Sequence, residues 1–489
     1  MRLSSLANAV GAPVHGSDVA ISAVTHDSRA VEPGSLYVAI PGAKVDGARF
    51  IPDALAAGAV AICATARWDG VPTIVAPDPR AALATFAAEL HRHPDRELAL
   101  VGLTGSLGKT STSLLTEAAL AGGGEPVGVI GSLGIRLGRS VVETGMTTPE
   151  APAIHAALRS MVDRGVRLAV MEVTSHSIRL GRVAGIRYVA GVLTNIVPDE
   201  HLEFHPTPEH YIRTKMQFFD MLGPGAPLVV NVDDEVARRV TRDLDRPVID
   251  VACRGTDADG AHVIPRLEAM ANDGCRFTLE VRRPFATIDG GEVEPVTLAV
   301  HLPLLGSQQL GNAALAATVA LAVGASPESI ARGLAAASPI RRRMQIVRER
   351  APMILDDTVG NPQSIRAVFE TVRLLPPARL GVVYALRGMR GPVINASNVR
   401  TLLAEVPRDA QVVITESDEA AGPRDRVRPD EREAACAELR ASGREVRYLP
   451  RLEDAIAAVL QGAGDGDLVL LLGAQGMDKG AEIAIKKLM

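Results

Sequence analysis

The residues best equipped for chemistry sit at 104–111, where Thr104, Gly105, Ser106, Leu107, Gly108, Lys109, Thr110 and Ser111 follow an apolar run from Leu98 to Leu103. Glycines let backbone N–H groups close on phosphate oxygens, and a helix opening at Lys109 would add partial positive charge. Lys109 can reach terminal phosphates, and the Thr110 hydroxyl can serve Mg²⁺. The chemistry is nucleotide binding, with ATP and Mg²⁺ as the expected cofactors. The spacing is one residue shorter than GxxxxGK[ST], so an ordinary P-loop kinase fits it imperfectly.

Other candidates lie downstream. Glu172 closes the apolar run Leu168–Val173, and the carboxyl ends of strands are where open α/β sheets meet ligands. A carboxylate there suits Mg²⁺, a hard ion that bridges acid and phosphate; a salt-bridged strand end is the plainer alternative. His201, His205 and His210 raise the idea of zinc, but the HExxH order is missing, and solvated histidines answer equally to the pattern. Lys215, taken alone, reads as an exposed helical lysine. Arg341-Arg342-Arg343 is the single basic cluster, too short for a polyanion stripe and read as a solvated loop.

Taken in order, these segments resemble the Mur ligase family over nearly the whole chain. The loop is similar to the family's TGTNGKT signature, with Leu107 in place of asparagine. Asp27-Ser28-Arg29, with Asp46-Gly47 and Phe50-Ile51, resembles the segment by which the tripeptide-synthetase branch holds a UDP-sugar; an aspartate–serine turn is the local alternative. Thr147-Thr148-Pro149 and Ser175-His176 resemble segments facing the muramyl-peptide substrate, and Thr194–His205 is similar to TN…(D/E)HL(D/E)(F/Y)H with one extra residue. Tyr211–Phe219 resembles the stretch bearing a carbamylated lysine, and Leu305–Ala317 resembles the helix start near adenine, with Gln309 replacing an asparagine and Asn312 retained.

The resemblance implies ATP contacts from Thr104, Gly105, Ser106, Gly108, Lys109, Thr110, Ser111, Gln309, Asn312, Arg343 and Asp357. It implies substrate contacts from Ser28, Arg29, Thr147, Thr148, Ser175 and His176. Lys109, Glu172, His201 and Lys215 take catalytic roles. Thr110, Glu172, His201 and Lys215 become metal ligands, Lys215 as a carbamate formed with CO₂. The likeness thins toward the C-terminus: Asp357 stands for the first aspartate of a DYAHTP segment whose histidine is absent, and Thr415–Glu419 replaces a DNPR motif. The incoming amine is therefore not carried over from the family.

The elements that must position these groups are legible as strand and helix patterns. With 489 residues the chain exceeds one ordinary core. An α/β architecture of three domains is expected: a small N-terminal α/β domain over 1–97, a central P-loop ATPase-like domain with a mostly parallel sheet over 98–338, and a Rossmann-like domain over 339–489 that takes the amine. Buried strands are expected at 98–103, 127–130, 168–173, 189–194 and 228–232, and again at 353–355, 380–384, 412–415 and 468–472. The stretch Arg254–Val300, with its Asp-Gly and Gly-Gly turns, reads as a hairpin elaboration of the central domain.

Composition excludes several classes. A formal net charge of −5 without charge runs argues against nucleic acid. Cys63, Cys253, Cys275 and Cys436 form no CxxC pair, which argues against disulfides and thiolate zinc. No apolar run reaches membrane-spanning length, and Met1–Ser5 does not open a signal peptide, so a cytoplasmic location is expected, with small molecules as partners and no membrane association. The expected reaction is ATP-dependent amide formation through an acyl phosphate, on a UDP-muramyl-peptide or in a specialised cofactor or natural-product pathway. A nucleotide-binding regulator without ligation and a plain kinase are the rival readings. The oligomeric state is not legible.

Overall fold

A computed structural model of the chain describes residues 1–42, 45–138, 140–255, 260–423 and 425–489; Asp259, in one of the expected Asp-Gly turns, lies outside them. Two compact units divide it: 1–251 with 284–294 and 315–330, and 252–283 with 295–314 and 331–489. No helix among the described residues is long and apolar enough to cross a membrane.

The first unit holds two sheets. The N-terminal sheet runs Val14–His15, Thr73–Val75, Ala61–Ala64, Ser35–Val38, Ala23–Thr25, parallel apart from its first strand. Its strands bury both faces, Leu36 and Val38 joining one apolar cluster and Tyr37 the other, as the two-residue side-chain period requires. In the larger sheet, Val248–Val251, Leu228–Asn231, Ala190–Leu193, Ala99–Thr104, Leu168–Glu172 and Val127–Gly131 lie parallel in that order. The antiparallel hairpin Gly134–Leu137 and Ser140–Val142 extends it. The near-continuous Val, Leu and Ile of these strands suit a sheet covered on both faces. Thr104 and Glu172 end neighbouring strands, so the register alone brings the phosphate loop and the acid to one sheet edge.

The second unit contains an antiparallel three-strand layer, Val263–Ala271, Gly274–Val281 and Val296–Leu302, with a register shift between Leu267 and Ala269. It also contains a six-stranded sheet ordered Gln345–Arg348, Met353–Asp357, Leu468–Gly473, Leu380–Ala385, Gln411–Thr415, Arg447–Tyr448, of which the first strand is antiparallel. Val382 and Tyr384 pack on one face, Val383 and Ala385 on the other. This is the doubly covered, Rossmann-like pattern expected of the C-terminal part.

Candidate active site

The phosphate loop takes its shape from two glycines. Gly105 and Gly108 have φ of +150° and +82°, a region that L side chains rarely adopt. A Cβ on Gly105 would collide with Thr194 Oγ1. Thr194 and Asn195 grip the far side of the loop: Thr194 Oγ1 and Asn195 Nδ2 donate to the Leu107 carbonyl at 2.6 and 3.1 Å, and Leu107 N–H donates to Asn195 Oδ1 at 2.8 Å. Ser106 Oγ accepts from Val197 N at 2.8 Å and pairs with Tyr211 Oη at 2.8 Å. Beyond Gly108, a glycine with no side chain to cap it, the helix Lys109–Ala121 begins.

Lys109 folds back, its Nζ donating to the Gly105 and Ser106 carbonyls at 2.8 and 3.0 Å. Lys215, on the helix Pro208–Met216 that Thr207 caps through His210 N–H, donates to the same Gly105 carbonyl at 2.7 Å. Far from being an exposed helical lysine, Lys215 is 2% exposed. Burial, reinforced by the Lys109 charge, holds its pKa well below the usual lysine range.

Glu172 is buried and accepts from Thr110 Oγ1 at 3.0 Å, Ser132 N–H at 2.9 Å and Ser132 Oγ at 3.3 Å. The strand end therefore presents hydrogen-bonded oxygens. Ser132 Oγ also meets Thr147 Oγ1 at 2.9 Å, and Thr148 Oγ1 donates to the Glu172 carbonyl at 2.9 Å. The expected Thr147-Thr148 segment thus borders the acid. Thr104 Oγ1 ties to the Val173 carbonyl at 2.9 Å, and Ser111 is buried in the first helical turn.

The histidines sort differently from their spacing. His205 uses Nε2 on Ser175 Oγ at 3.0 Å and Nδ1 on His210 Nδ1 at 3.0 Å. His201 instead stands edge-on to His176, ring centroids 4.8 Å apart, with Nδ1 3.2 Å from Glu203 Oε1. Burial, then the neighbouring imidazoles, pushes His176 down to about 4. His205 falls to about 4 for the same leading reason.

In the N-terminal sheet's neighbourhood, the Asp27 carboxylate accepts from the Arg29 backbone N–H at 3.0 Å and from its guanidinium at 2.9 and 2.7 Å, which lowers Asp27 to about 2. The turn at Ser28–Ala30 is closed through Arg29.

In the second unit, Asn312 Nδ2 donates to Gln309 Oε1 at 3.1 Å. Burial pushes Asp357 up to about 7, with Arg343 the main opposing charge. The basic cluster is not wholly solvated: Arg342 is 6% exposed, because its guanidinium reaches Asp356 at 3.3 Å, the Ala474 and Gly473 carbonyls at 2.9 and 2.6 Å, and Asp478. Its neighbour Arg343 donates to the Arg342 carbonyl at 2.9 Å. Ser132 lies outside every segment singled out in the sequence, whereas Asn195, Glu203 and Tyr211 fall inside the resembling segments without a role of their own. Asn195 had a signal, a polar amide directly after a buried strand; Ser132 had none, since its role arises only from strand neighbourhood.

The chain matches the Mur ligase middle domain over residues 103–320, the Mur ligase glutamate ligase domain over 342–475, and the Mur ligase family catalytic domain over 20–91. It is 33% identical over 496 residues to the UDP-N-acetylmuramoyl-L-alanyl-D-glutamate–2,6-diaminopimelate ligase of Streptomyces avermitilis, covering 99% of this chain and 93% of that one. It is 35% identical over 505 residues to the UDP-N-acetylmuramyl-tripeptide synthetase of a Roseiflexus species, covering 97% and 94%. The MurF ligase of Thermotoga maritima, in complex with ADP, shares the fold with a TM-score of 0.64 at 21% identity, covering 95% and 96%. The chain belongs to the Mur ligase family.

Proposed function

We propose that the chain joins the carboxylate of a UDP-N-acetylmuramyl-peptide to an amine at the expense of ATP, with the amine read by the C-terminal part near 339–489. The observation that carries this reading is the contact of Thr110, next to Lys109 at the start of the helix after the phosphate loop, with the strand-end Glu172 at 3.0 Å. The site suits Mg-ATP: Gly105 and Gly108 take the positive φ that the tight loop needs, and Thr110 and Glu172 are the hard oxygen donors that Mg²⁺ favours. Bound there, Mg-ATP would supply an electrophilic γ-phosphorus. The substrate carboxylate attacks it, ADP leaves, and an acyl phosphate forms. The amine then attacks the acyl carbon, loses a proton and expels inorganic phosphate, leaving the amide.

The protein's part is positioning and charge. Lys109 would turn from the loop carbonyls to follow charge developing on the γ-oxygens. Thr147 and Thr148 border the acid; with Ser175 and His176 they would face the carboxylate substrate, and Ser28 and Arg29 would contact the UDP-sugar. Burial lowers the Lys215 pKa, so Lys215 gives up its proton more readily than an exposed lysine; the neutral amine would add CO₂, and the resulting carbamate would place an anion beside Lys109. The enzyme would act in the cytoplasm.

A specialised acceptor is the second reading, favoured by Glu416. At the end of the strand Gln411–Thr415 its carboxylate is already engaged by Arg432 at 2.5 and 2.7 Å and by Tyr448 Oη. That arginine is not free to receive an acceptor's carboxylate.

The test is ADP and phosphate release with UDP-muramyl-dipeptide and a panel of amines, with the amide product identified by mass. Turnover should require both partners, and Lys109→Ala should slow it at least about 10²-fold. Release of ADP without amide, or amide formation unaffected by Lys109→Ala, would defeat the proposal; turnover only with other carboxylates or amines would favour the specialised reading.

A further inference from the structure

We propose that His205 and His210 are positioning residues that fix the proton order at Ser175, leaving its hydroxyl free to donate to the carboxylate of the substrate. The inference rests on the ligase reading for the identity of that substrate. Its geometry is a line of three side chains. His205 Nε2 lies 3.0 Å from Ser175 Oγ, and His205 Nδ1 lies 3.0 Å from His210 Nδ1. Ser175 is 2% exposed and His205 is wholly buried. Among the described residues, His205 is the one hydrogen-bond partner of the Ser175 hydroxyl.

Local structure sets all three in place. Ser175 opens the helix Ser175–Arg179, whose capping box is made by Thr174 and Ser177, so the Ser175 hydroxyl is not spent on the helix's own backbone. His210 sits in the first turn of the helix Pro208–Met216, its N–H donating to Thr207 Oγ1 at 3.2 Å. The His205 ring is walled by the rings of Phe204 and Tyr211, with centroids 5.0 and 5.2 Å away, which limits its rotation between the two partners. The helix that carries His210 also meets the phosphate loop, through Tyr211 on Ser106 and Lys215 on Gly105. One helix therefore touches both the nucleotide loop and the line ending at Ser175.

Proton counting gives the direction. Two Nδ1 atoms 3.0 Å apart hold one proton between them, since two would collide and none would set lone pair against lone pair. If a neutral His205 holds it, Nε2 is bare, the serine spends its only proton there, and Oγ turns lone pairs toward an anion. If His210 holds it, His205 carries its own proton on Nε2 and donates to Ser175 Oγ, which keeps its O–H for the carboxylate. Only the second order offers a donor to an anion, and a hydrogen bond to an ionised acceptor is the stronger kind. A histidine's tautomer is set in this way by the partner of its other nitrogen. Both histidines act through Ser175, and neither touches the substrate.

The experiment has two arms, both on the full chain. In the first, ¹⁵N NMR of the histidine rings without nucleotide or substrate reads the tautomers, with His205→Gln and His210→Asn assigning the signals. A proton on Nε2 of His205 and on Nδ1 of His210 is expected; His205 protonated at Nδ1 overturns the proposal. In the second, Ser175→Ala should raise the KM for UDP-muramyl-dipeptide by about 10-fold or more, the scale of one hydrogen bond to a charged group. His210→Ala should raise it less, and His210→Asn, with an amide N–H at the place of Nδ1, should restore most of that loss. The KM for ATP should stay put in all three. Added to Ser175→Ala, His210→Ala should cost nothing further, because it acts through the hydroxyl. Additive losses, or an equal rise in the KM for ATP, overturn the proposal. A chain that turns over no UDP-muramyl-peptide defeats the ligase reading, while the proton order, read without substrate, still stands or falls by the NMR arm.

Discussion

Lys109 and Lys215 share one acceptor, the Nζ of each donating to the Gly105 carbonyl, at 2.8 and 2.7 Å. Two positive charges on one oxygen would repel each other, so the buried lysine yields its proton more readily. Removing the Lys109 charge with Lys109→Met should therefore raise the Lys215 pKa, yet leave it below the ordinary lysine range, because burial is the larger cause. Competitive acylation of Lys215 across pH measures this directly. An unchanged profile would mean the pair is not coupled.

If Lys215 works as a carbamate, Lys215→Ala removes an anion rather than a cation. Ligation should fall by roughly 10²–10³-fold, the scale of losing one preorganised electrostatic group. Formate or acetate, diffusing into the space left by the side chain, should restore part of the rate, whereas ammonium or methylamine should not. Rescue by amines in place of acids would show that the lysine acts as a cation.

Gly131 offers a way to disturb the Glu172 carboxylate, proposed as a metal ligand, without touching it. A Cβ at that position would press on Glu172 Oε1 inside van der Waals contact. Gly131→Ala should displace the carboxylate and raise the Mg²⁺ concentration needed for half-maximal turnover by about tenfold or more, since misplaced metal partners commonly cost 10–100-fold. A Mg²⁺ titration of turnover beside Glu172→Gln checks it; an unaltered Mg²⁺ requirement would show that Glu172 is not a ligand.

The parts of this architecture set by chain-local pattern were legible in the sequence. Apolar runs at 127–130 and 228–232 became strands at Val127–Gly131 and Leu228–Asn231, because buried parallel strands need continuous Val, Leu and Ile. Lys109 and Thr110 were legible for the same reason, since strand, glycine turn and helix follow one another along the chain. Contacts made across strands were not. Ser132 meets Glu172 only because Val127–Gly131 pairs with Leu168–Glu172, and no spacing in the sequence encodes that. Likewise the i, i+4 pattern of His201 and His205 raised the idea of a shared ligand set, but His201 Nδ1 faces Glu203 whereas His205 bonds Ser175 and His210. Arg342 was read as solvated because charge runs usually are; its burial follows from acceptors at Asp356 and Gly473, distant along the chain.

Glu431 should prove the anchor of the arginine-bearing turn 387–391. Its carboxylate, buried completely, accepts backbone N–H bonds from Met389, Arg390 and Gly391 at 3.1, 2.7 and 2.6 Å, and from Arg428 at 2.8 Å. Glutamine has nearly the same shape but turns an NH₂ group toward some of these donors. Glu431→Gln should cost about 2–3 kcal/mol in denaturant unfolding, the scale of a buried donor left unsatisfied. It should also raise the KM for the amine more than that for ATP if the turn reads the amine. A loss below about 0.5 kcal/mol would show that water replaces the carboxylate without penalty.

Asp357 makes stability depend on pH with a sign opposite to that of a paired carboxylate. Burial raises it to about 7 in the fold, against 3.8 for an unburied aspartate. Between about pH 4 and 7 the folded chain keeps a proton that the unfolded chain has lost, so unfolding releases it and stability falls as pH rises, by at most about 1.4 kcal/mol per pH unit. Below pH 4 both states are protonated and the cost of burying a charge is absent; above 7 both are ionised and the whole cost is present. Asp357→Asn keeps a neutral side chain of the same shape at every pH. The difference between variant and parent in urea midpoints should therefore be small near pH 4.5 and grow in the variant's favour by pH 8, in ligand-free protein. A difference constant across that range would mean that Asp357 stays ionised in the fold, neutralised by Arg343.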